Sequence, residues 1–275
     1  MDFVELLKAL LLGVVQGITE WLPVSSTGHM ILLDELLPLH VSETFKELFF
    51  VVVQLGSILA VLVLYFHKLN PFSSSKTPVE RKQTWSLWAK VVVASIPVGI
   101  VGILFDDWIN ETFFRWQVIV VALALYGVLY IVLEKQRAGK VPRVATLEEL
   151  SWRDAFGIGM FQMLAVVPGT SRSGSTILGG IILGVDRAVA AEFSFFLALP
   201  AMAGASLLKI VKIGLDFTAL EWGVLAVGCV TAFLVSMVAI KFLVGYVRRH
   251  DFSVFGWYRI ALAVVVTVFF LATGH

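Results

Sequence analysis

Six apolar runs, residues 48–66, 88–105, 116–133, 193–211, 222–240 and 254–273, each approach the roughly 20 residues that a helix needs to cross a bilayer core of about 30 Å. Inside lipid a segment must satisfy its own backbone N–H and C=O groups, so runs of this kind become helices. The chain therefore reads as an all-α polytopic membrane protein. Of its 275 residues 59% are hydrophobic and 15% charged, which leaves no length for a soluble domain; residues 1–275 are expected to form a single integral membrane domain. Trp88, Trp116, Trp222 and Trp257 stand at or near run ends, as interfacial anchors do. With a net charge of only +1, the expected surroundings are the lipid bilayer and not nucleic acid. The single Cys229 lies within an apolar run, so an internal disulfide or a thiolate metal cluster is excluded.

Four further apolar stretches do not cross. Residues 3–22 have the length, but Glu5, Lys8, Gln16, Thr19 and Glu20 interrupt them, and 30–37, 155–167 and 177–185 are too short. They pair as two re-entrant helical hairpins, each entering and leaving on one side and carrying a polar tip. Lys and Arg orient the spans, because cytoplasmic loops are enriched in both. Lys68, Lys76, Arg81 and Lys82 follow the first span, Lys135, Arg137, Lys140, Arg143 and Arg153 the third, and Arg248 and Arg249 precede the last; the other connections hold Asp107 and Glu111, or Lys212, Asp216 and Glu221. Threaded accordingly, the first hairpin opens outside and the second inside.

That arrangement requires an internal repeat, and one is legible. Residues 13–16 (Gly-Val-Val-Gln) can be laid on 159–162 (Gly-Met-Phe-Gln), 23–26 on 168–171, and 28–32 on 174–178, at offsets of 145 or 146 residues, with Glu47 opposite Glu192. The first repeat covers residues 1–134 and the second 150–275. A hairpin plus three transmembrane helices makes an odd number of crossings, so the halves must form an inverted-topology repeat with the polar tips meeting near the midplane.

The tips carry the chemistry. The second holds Pro168, Gly169, Thr170, Ser171, Arg172, Ser173, Gly174, Ser175 and Thr176. Pro168 and Gly169 stop a helix, Gly174 is expected to let the backbone approach a ligand, and the next helix starts with unpartnered N–H groups. With its hydroxyls and a guanidinium able to grip two phosphate oxygens, the turn reads as an anion cradle. In a soluble protein the same turn would be a solvated loop; between apolar runs an Arg is costly and points to function. The first tip offers Gln16 and Glu20, which share one helix face, then Ser25, Ser26, Thr27 and His29. Opposite Arg172 these supply a carboxylate for a hard cation or a proton, a hydroxyl that can attack and an imidazole that can relay protons. Singly, the Glu and the His each have a structural explanation; grouped at repeat-related positions, they point to a site.

Two motifs resemble those of the undecaprenyl-diphosphatases, also called bacitracin-resistance proteins. They are Gln16-x-x-x-Glu20 with the following Pro23-Val-Ser-Ser-Thr-Gly-His29, and Pro168-Gly-x-Ser-Arg-Ser-x-x-Thr176. The likeness runs over essentially the whole chain. It implies a bacterial inner-membrane enzyme that removes the terminal phosphate of undecaprenyl diphosphate on the outer, periplasmic side, recycling the carrier lipid for cell-wall synthesis. It also implies a divalent cation, Mg²⁺ or Ca²⁺, held by Glu20, and a site of Glu20, Ser26, His29, Ser171, Arg172 and Thr176, with Gln16, Ser25, Thr27, Ser173 and Gly174 as further substrate contacts. Gln16 stands where some members carry Glu, leaving one carboxylate fewer. Ser26 as nucleophile and direct attack by water, activated by Glu20 or His29, both stay open, with His29 the favoured general acid or base; a homodimer is also left open. The rival is a transporter or flippase of a polyprenyl phosphate lipid, because broken helices in inverted repeats are transporter architecture. The concentration of hydroxyls, Arg172, Glu20 and His29 in one place favours an enzyme.

Overall fold

The computed structural model describes residues 3–274; Met1, Asp2 and His275, at the ends of the expected single unit, lie outside the described residues. Two short helices, α1 (Phe3–Thr19) and α2 (Ser26–Leu36), are joined by a polar loop. Next come α3 (Glu43–Leu64), the single turn α4 (Phe66–Leu69), α5 (Pro78–Phe113) and α6 (Trp116–Arg137). A second short pair follows: α7 (Trp152–Gln162), which tightens into the 3-10 turn Met163–Val166, and α8 (Arg172–Ile182). The chain continues through α9 (Arg187–Ile213), α10 (Ala219–Val247) and α11 (Ser253–Thr273). Among the described residues the one β feature is an isolated bridge between Val144 and Val185. Six helices among the described residues are long and apolar enough to cross a membrane: α3, α5 as far as Phe105, α6, α9, α10 and α11. They coincide with the six apolar runs of the sequence.

Local chemistry sets many of the boundaries. Ser151 and Thr218 start α7 and α10 with capping boxes, each hydroxyl accepting from the third residue of its helix while Asp154 and Glu221 reach back to the cap. Glu221 also accepts from the backbone N–H and the hydroxyl of Ser42, tying the start of α10 to the start of α3. Along α10, Val230, Leu234, Val238 and Phe242 are exposed at a spacing of four, while Gly228, Ala232, Ser236 and Ala239 are turned inward. Large apolar side chains outside and small residues inside are what a helix between protein and lipid carries.

The packing has a regular plan. α1 lies on α10 as α7 lies on α5, α3 on α10 as α9 on α5, and α6 pairs with α11. α3 and α9 run antiparallel: Glu47, near the start of α3, accepts from Lys209 near the end of α9 at 2.8 Å, and Glu192, near the start of α9, accepts from Lys68 beyond the end of α3 at 2.6 Å. Exchanging α1, α2, α3, α5 and α6 for α7, α8, α9, α10 and α11 carries each of these contacts onto another or onto itself. Small residues permit the closest crossings. A Cβ at Gly13 would lie 2.7 Å from the Gly228 carbonyl, and one at Gly159, its sequence counterpart, 2.2 Å from the Ala94 carbonyl. At the α6–α11 crossing a Cβ at Gly127 would lie 2.8 Å from the Gly256 carbonyl, and one at Gly256 2.7 Å from the Gly127 carbonyl. Gly127→Val should therefore force these helices apart and cost about 1–3 kcal/mol, read as a lower Tm in detergent, whereas Gly102→Val, with open space at its Cβ position, should leave the Tm unchanged.

Candidate active site

Both broken helices restart on a serine held in left-handed backbone. Ser25 and Ser171 each have φ 72°, and they are the only non-glycine residues with positive φ among the described residues. Each then caps the helix that follows, Ser25 Oγ accepting from the N–H of Gly28 at 3.3 Å and Ser171 Oγ from that of Gly174 at 3.1 Å. A non-glycine residue in this region costs on the order of 1–3 kcal/mol and persists only where its surroundings demand it. The demand here is to turn the chain back at two buried tips and aim Ser26 and Arg172 at one another's neighbourhood.

The tips meet at a buried ion pair. Glu20 Oε1 accepts from Arg172 Nη2 at 2.8 Å, and Glu20 Oε2 accepts from Gln16 Nε2 at 2.9 Å and from Ser26 Oγ at 3.3 Å. Arg172 Nη1 donates to the Ser194 carbonyl at 2.8 Å, and the guanidinium carbon lies 5.6 Å from the centre of the Trp21 ring. Arg172 Nε is buried and has no partner among the described residues. A cavity of about 220 Å³ opens beside this pair, with Glu20, Ser26, Thr27, Gln54, Ser171 and Arg172 in its wall. Burying two charges to make a salt bridge is a weak device for stability, and an ion pair beside a cavity with one guanidinium N–H unanswered suits an incoming oxyanion better. Among the described residues no three His, Cys, Asp or Glu side chains come together as a metal cage would. The oxygen donors in the cavity wall beside the pair are the Glu20 carboxylate and the Ser26 hydroxyl, a set that suits a hard cation completed by water and phosphate oxygens.

The profile of the bacitracin resistance protein BacA family matches residues 9–265. The chain belongs to that family. Relatives named undecaprenyl-diphosphatase include one from Desulfitobacterium hafniense, 53% identical over 273 residues that cover 99% of this chain and 98% of the relative. Another, from Lachnoclostridium phytofermentans, is 55% identical over 271 residues, covering 98% and 99%, and one from Enterococcus faecalis is 52% identical over 268 residues, covering 97% of each. With six apolar helices of spanning length, this BacA-family chain is a multi-pass membrane protein.

Not every residue expected at the site reaches the cavity of the BacA-family chain. Gln16, Glu20, Ser26, Thr27, Ser171 and Arg172 stand in its wall or bond to it directly. Ser25 is fully buried and its hydroxyl is occupied as a cap. Ser173 Oγ donates to the Glu20 carbonyl at 3.1 Å, fastening one tip to the other, and Thr176 Oγ1 donates to the Arg172 carbonyl at 2.9 Å and meets Ser194 Oγ at 2.7 Å. Gly174 faces protein, not open ligand space: a Cβ there would lie 3.1 Å from Arg259 Nη1, and its carbonyl accepts from the Tyr130 hydroxyl at 2.7 Å. His29 is also turned aside. Its Nδ1 donates to the Ser25 carbonyl at 2.8 Å, which leaves Nε2 to accept from the Tyr258 hydroxyl at 2.6 Å, and it makes no hydrogen bond to Glu20, Ser26 or Arg172 among the described residues. One physical reason covers these departures. Breaking two helices frees backbone groups that lipid cannot answer, and the nearest hydroxyls and imidazole answer them.

Arg259 was not expected at all. It lies fully buried within α11, has no salt-bridge partner among the described residues, and its guanidinium carbon sits 5.4 Å from the centre of the Tyr126 ring. Nη1 donates to the Pro23 carbonyl of the first tip at 3.2 Å, and Nη2 to the Gly169 and Thr170 carbonyls of the second at 2.7 and 3.0 Å. A lone Arg within the run 254–273 was the available signal, by the same rule that singled out Arg172. Ser194 and Trp21, which hold Arg172, gave no signal in sequence. Arg259→Met should strand three buried carbonyls and cost on the order of 3 kcal/mol or more, with Arg259→Lys intermediate. Thermal unfolding in detergent measures the cost, and hydrogen exchange should accelerate at residues 23–26 and 169–172 together.

Proposed function

We propose that this chain is an undecaprenyl-diphosphatase, hydrolysing undecaprenyl diphosphate to undecaprenyl phosphate and inorganic phosphate and so recycling the lipid carrier of cell-wall synthesis. The observation that carries this is the Glu20–Arg172 pair at the cavity with Arg172 Nε unanswered, in a chain whose near full-length relatives bear that name. Its setting is a bacterial inner membrane. The two tips belong to re-entrant hairpins, α1–α2 and α7–α8, each followed by three spans, as inverted repeats over residues 1–134 and 150–275. The exchangeable packing, the matching serines and the antiparallel α3–α9 pair support this. The cavity opens to the outer side: Ala201, Met202 and Ala205 in its wall belong to the half of α9 farther from Lys68, and the Lys-rich end is cytoplasmic.

In this mechanism the terminal phosphate takes Nε and Nη2 of Arg172, so that Nη2 leaves Glu20. Glu20 is then free to accept the proton of Ser26 as its Oγ attacks the terminal phosphorus. The bond to the bridging oxygen breaks, undecaprenyl phosphate leaves, and water cleaves the serine phosphate to inorganic phosphate. The hydrogen bond from Ser26 to Glu20 supports this order; a water activated by Glu20 gives the direct route. His29 acts here as a positioning residue, through the Ser25 carbonyl. Glu20, with Ser26 and Gln16 beside it, is the residue to hold the expected Mg²⁺ or Ca²⁺, which when bound supplies charge neutralisation at the phosphate oxygens.

Phosphate release from detergent-solubilised protein tests the proposal, and a chelator should abolish it. Arg172→Lys keeps the charge but loses the fork, and should lower the rate at least about a hundredfold; parental turnover would remove Arg172 from this role. Ser26→Ala should abolish turnover on the covalent route. On the water route it loses one donor, about 2.7–4 kcal/mol, and a residual rate near a hundredth of the parent would exclude a phosphoserine. For orientation, cysteines placed singly at Lys76, Lys140 and Asp107 in a Cys229→Ala background should react with an impermeant reagent on intact cells only at position 107.

A further inference from the structure

A second hollow adjoins the polar cavity. A groove of about 460 Å³ lies between α6 and the turn that leads into the second tip, with Val118, Val121, Leu125 and Tyr126 on one side and Leu164 and Val167 on the other. Val167 also stands in the wall of the polar cavity, so the two hollows share a boundary at one side chain. Their closeness follows from Gly169. It has φ 89°, and a Cβ there would lie 2.7 Å from the Ile119 carbonyl, so the tip backbone is seated directly on α6. Val121 and Leu125, four apart, are 65% and 53% exposed and make one open apolar edge.

We infer that this groove holds the first isoprene units of the prenyl tail whose diphosphate sits on Arg172, an inference that rests on the diphosphatase reading. A lipid diphosphate presents a charged head, a short junction and a long apolar chain in that order. The protein presents Arg172 and Ser171, then Val167, then an apolar trough open sideways to the bilayer. Adjacency across Val167 selects this occupant over bilayer lipid at large, because only a chain attached to a group in the cavity gains from a groove directly beside it. The methyl branches of a prenyl chain also match the β-branched walls at Val118, Val121 and Val167. Apolar binding in the trough positions the terminal phosphorus. The units nearest the diphosphate are read by protein, and the distal ones remain in the membrane.

Val121→Trp and Leu125→Trp fill the trough from its open edge, outside the polar cavity. Phosphate release is followed with undecaprenyl diphosphate and with methyl diphosphate, which ends in the same terminal phosphate and has no prenyl tail. The variants should raise KM for the long chain about tenfold with kcat little changed, and leave methyl diphosphate as in the parent. An unchanged KM for the long chain, or equal losses on both substrates, would overturn the assignment. A second arm does not need turnover: a polyprenyl diphosphate analogue with a photoreactive group on its first isoprene unit should label the peptide containing residues 118–126. Competition by undecaprenyl phosphate but not by phosphatidylglycerol supports the groove even if the parent releases no phosphate, an outcome that would instead defeat the diphosphatase reading. Equal competition by both lipids would make the groove an annular lipid site and reject the inference.

Discussion

Two helices are interrupted in the interior of a protein surrounded by lipid, and every backbone group freed by those interruptions has to be answered by another part of the chain. Much of the polar chemistry in the centre of the molecule follows from that requirement. Ser25 and Ser171 cap the restarted helices, Ser173 reaches across to the Glu20 carbonyl, His29 holds the Ser25 carbonyl, and Arg259 collects carbonyls from both tips. The side chains of Glu20, Ser26, Thr27, Gln54 and Arg172, which meet none of these capping demands, line the cavity beside them.

Arg259 gives this arrangement its coherence. A carboxylate placed to neutralise it would have pulled the guanidinium to one side, whereas carbonyl oxygens from both tips leave it shared between the two halves. The distance between Ser26 and Arg172 therefore depends on a helix that contributes nothing to the cavity wall. The glycine contacts between α1 and α10 and between α7 and α5 do similar work at a distance, because they set how deeply each short pair is seated. Catalytic spacing in this fold is a property of helix packing as much as of the tips themselves.

The fold was largely legible from the sequence because lipid imposes a coarse rule: run length and charge interruption separate spanning helices from short ones, and all six spans fall where the apolar runs lie. Gln16, Glu20, Ser26, Ser171 and Arg172 were legible for a related reason, since polar residues of this kind are costly in such surroundings. What the sequence did not disclose was which hydroxyls serve the backbone and which serve the cavity. Ser25 and Ser26, or Ser171 and Ser173, are chemically alike, and only the φ of the capping serine and the direction of the following helix separate their roles. The partners of His29 were hidden for the same reason, Ser25 being set by the turn and Tyr258 by a helix 229 positions away. Ser194 hid as an ordinary small residue inside a span.

The Glu20–Arg172 pair has a consequence for what the site admits. Because Arg172 already has a full carboxylate against Nη2, an arriving headgroup must displace that anion before it can occupy the fork. The phosphodiester of an ordinary phospholipid carries one delocalised charge and is esterified on both sides, so it offers no better counterion than Glu20. A terminal phosphate carries more charge and three unesterified oxygens, enough to take the guanidinium and still leave oxygens for the donors around it. On the proposed diphosphatase reading, the resting ion pair would work as a threshold on anion charge that favours lipids ending in a phosphate over phosphodiesters.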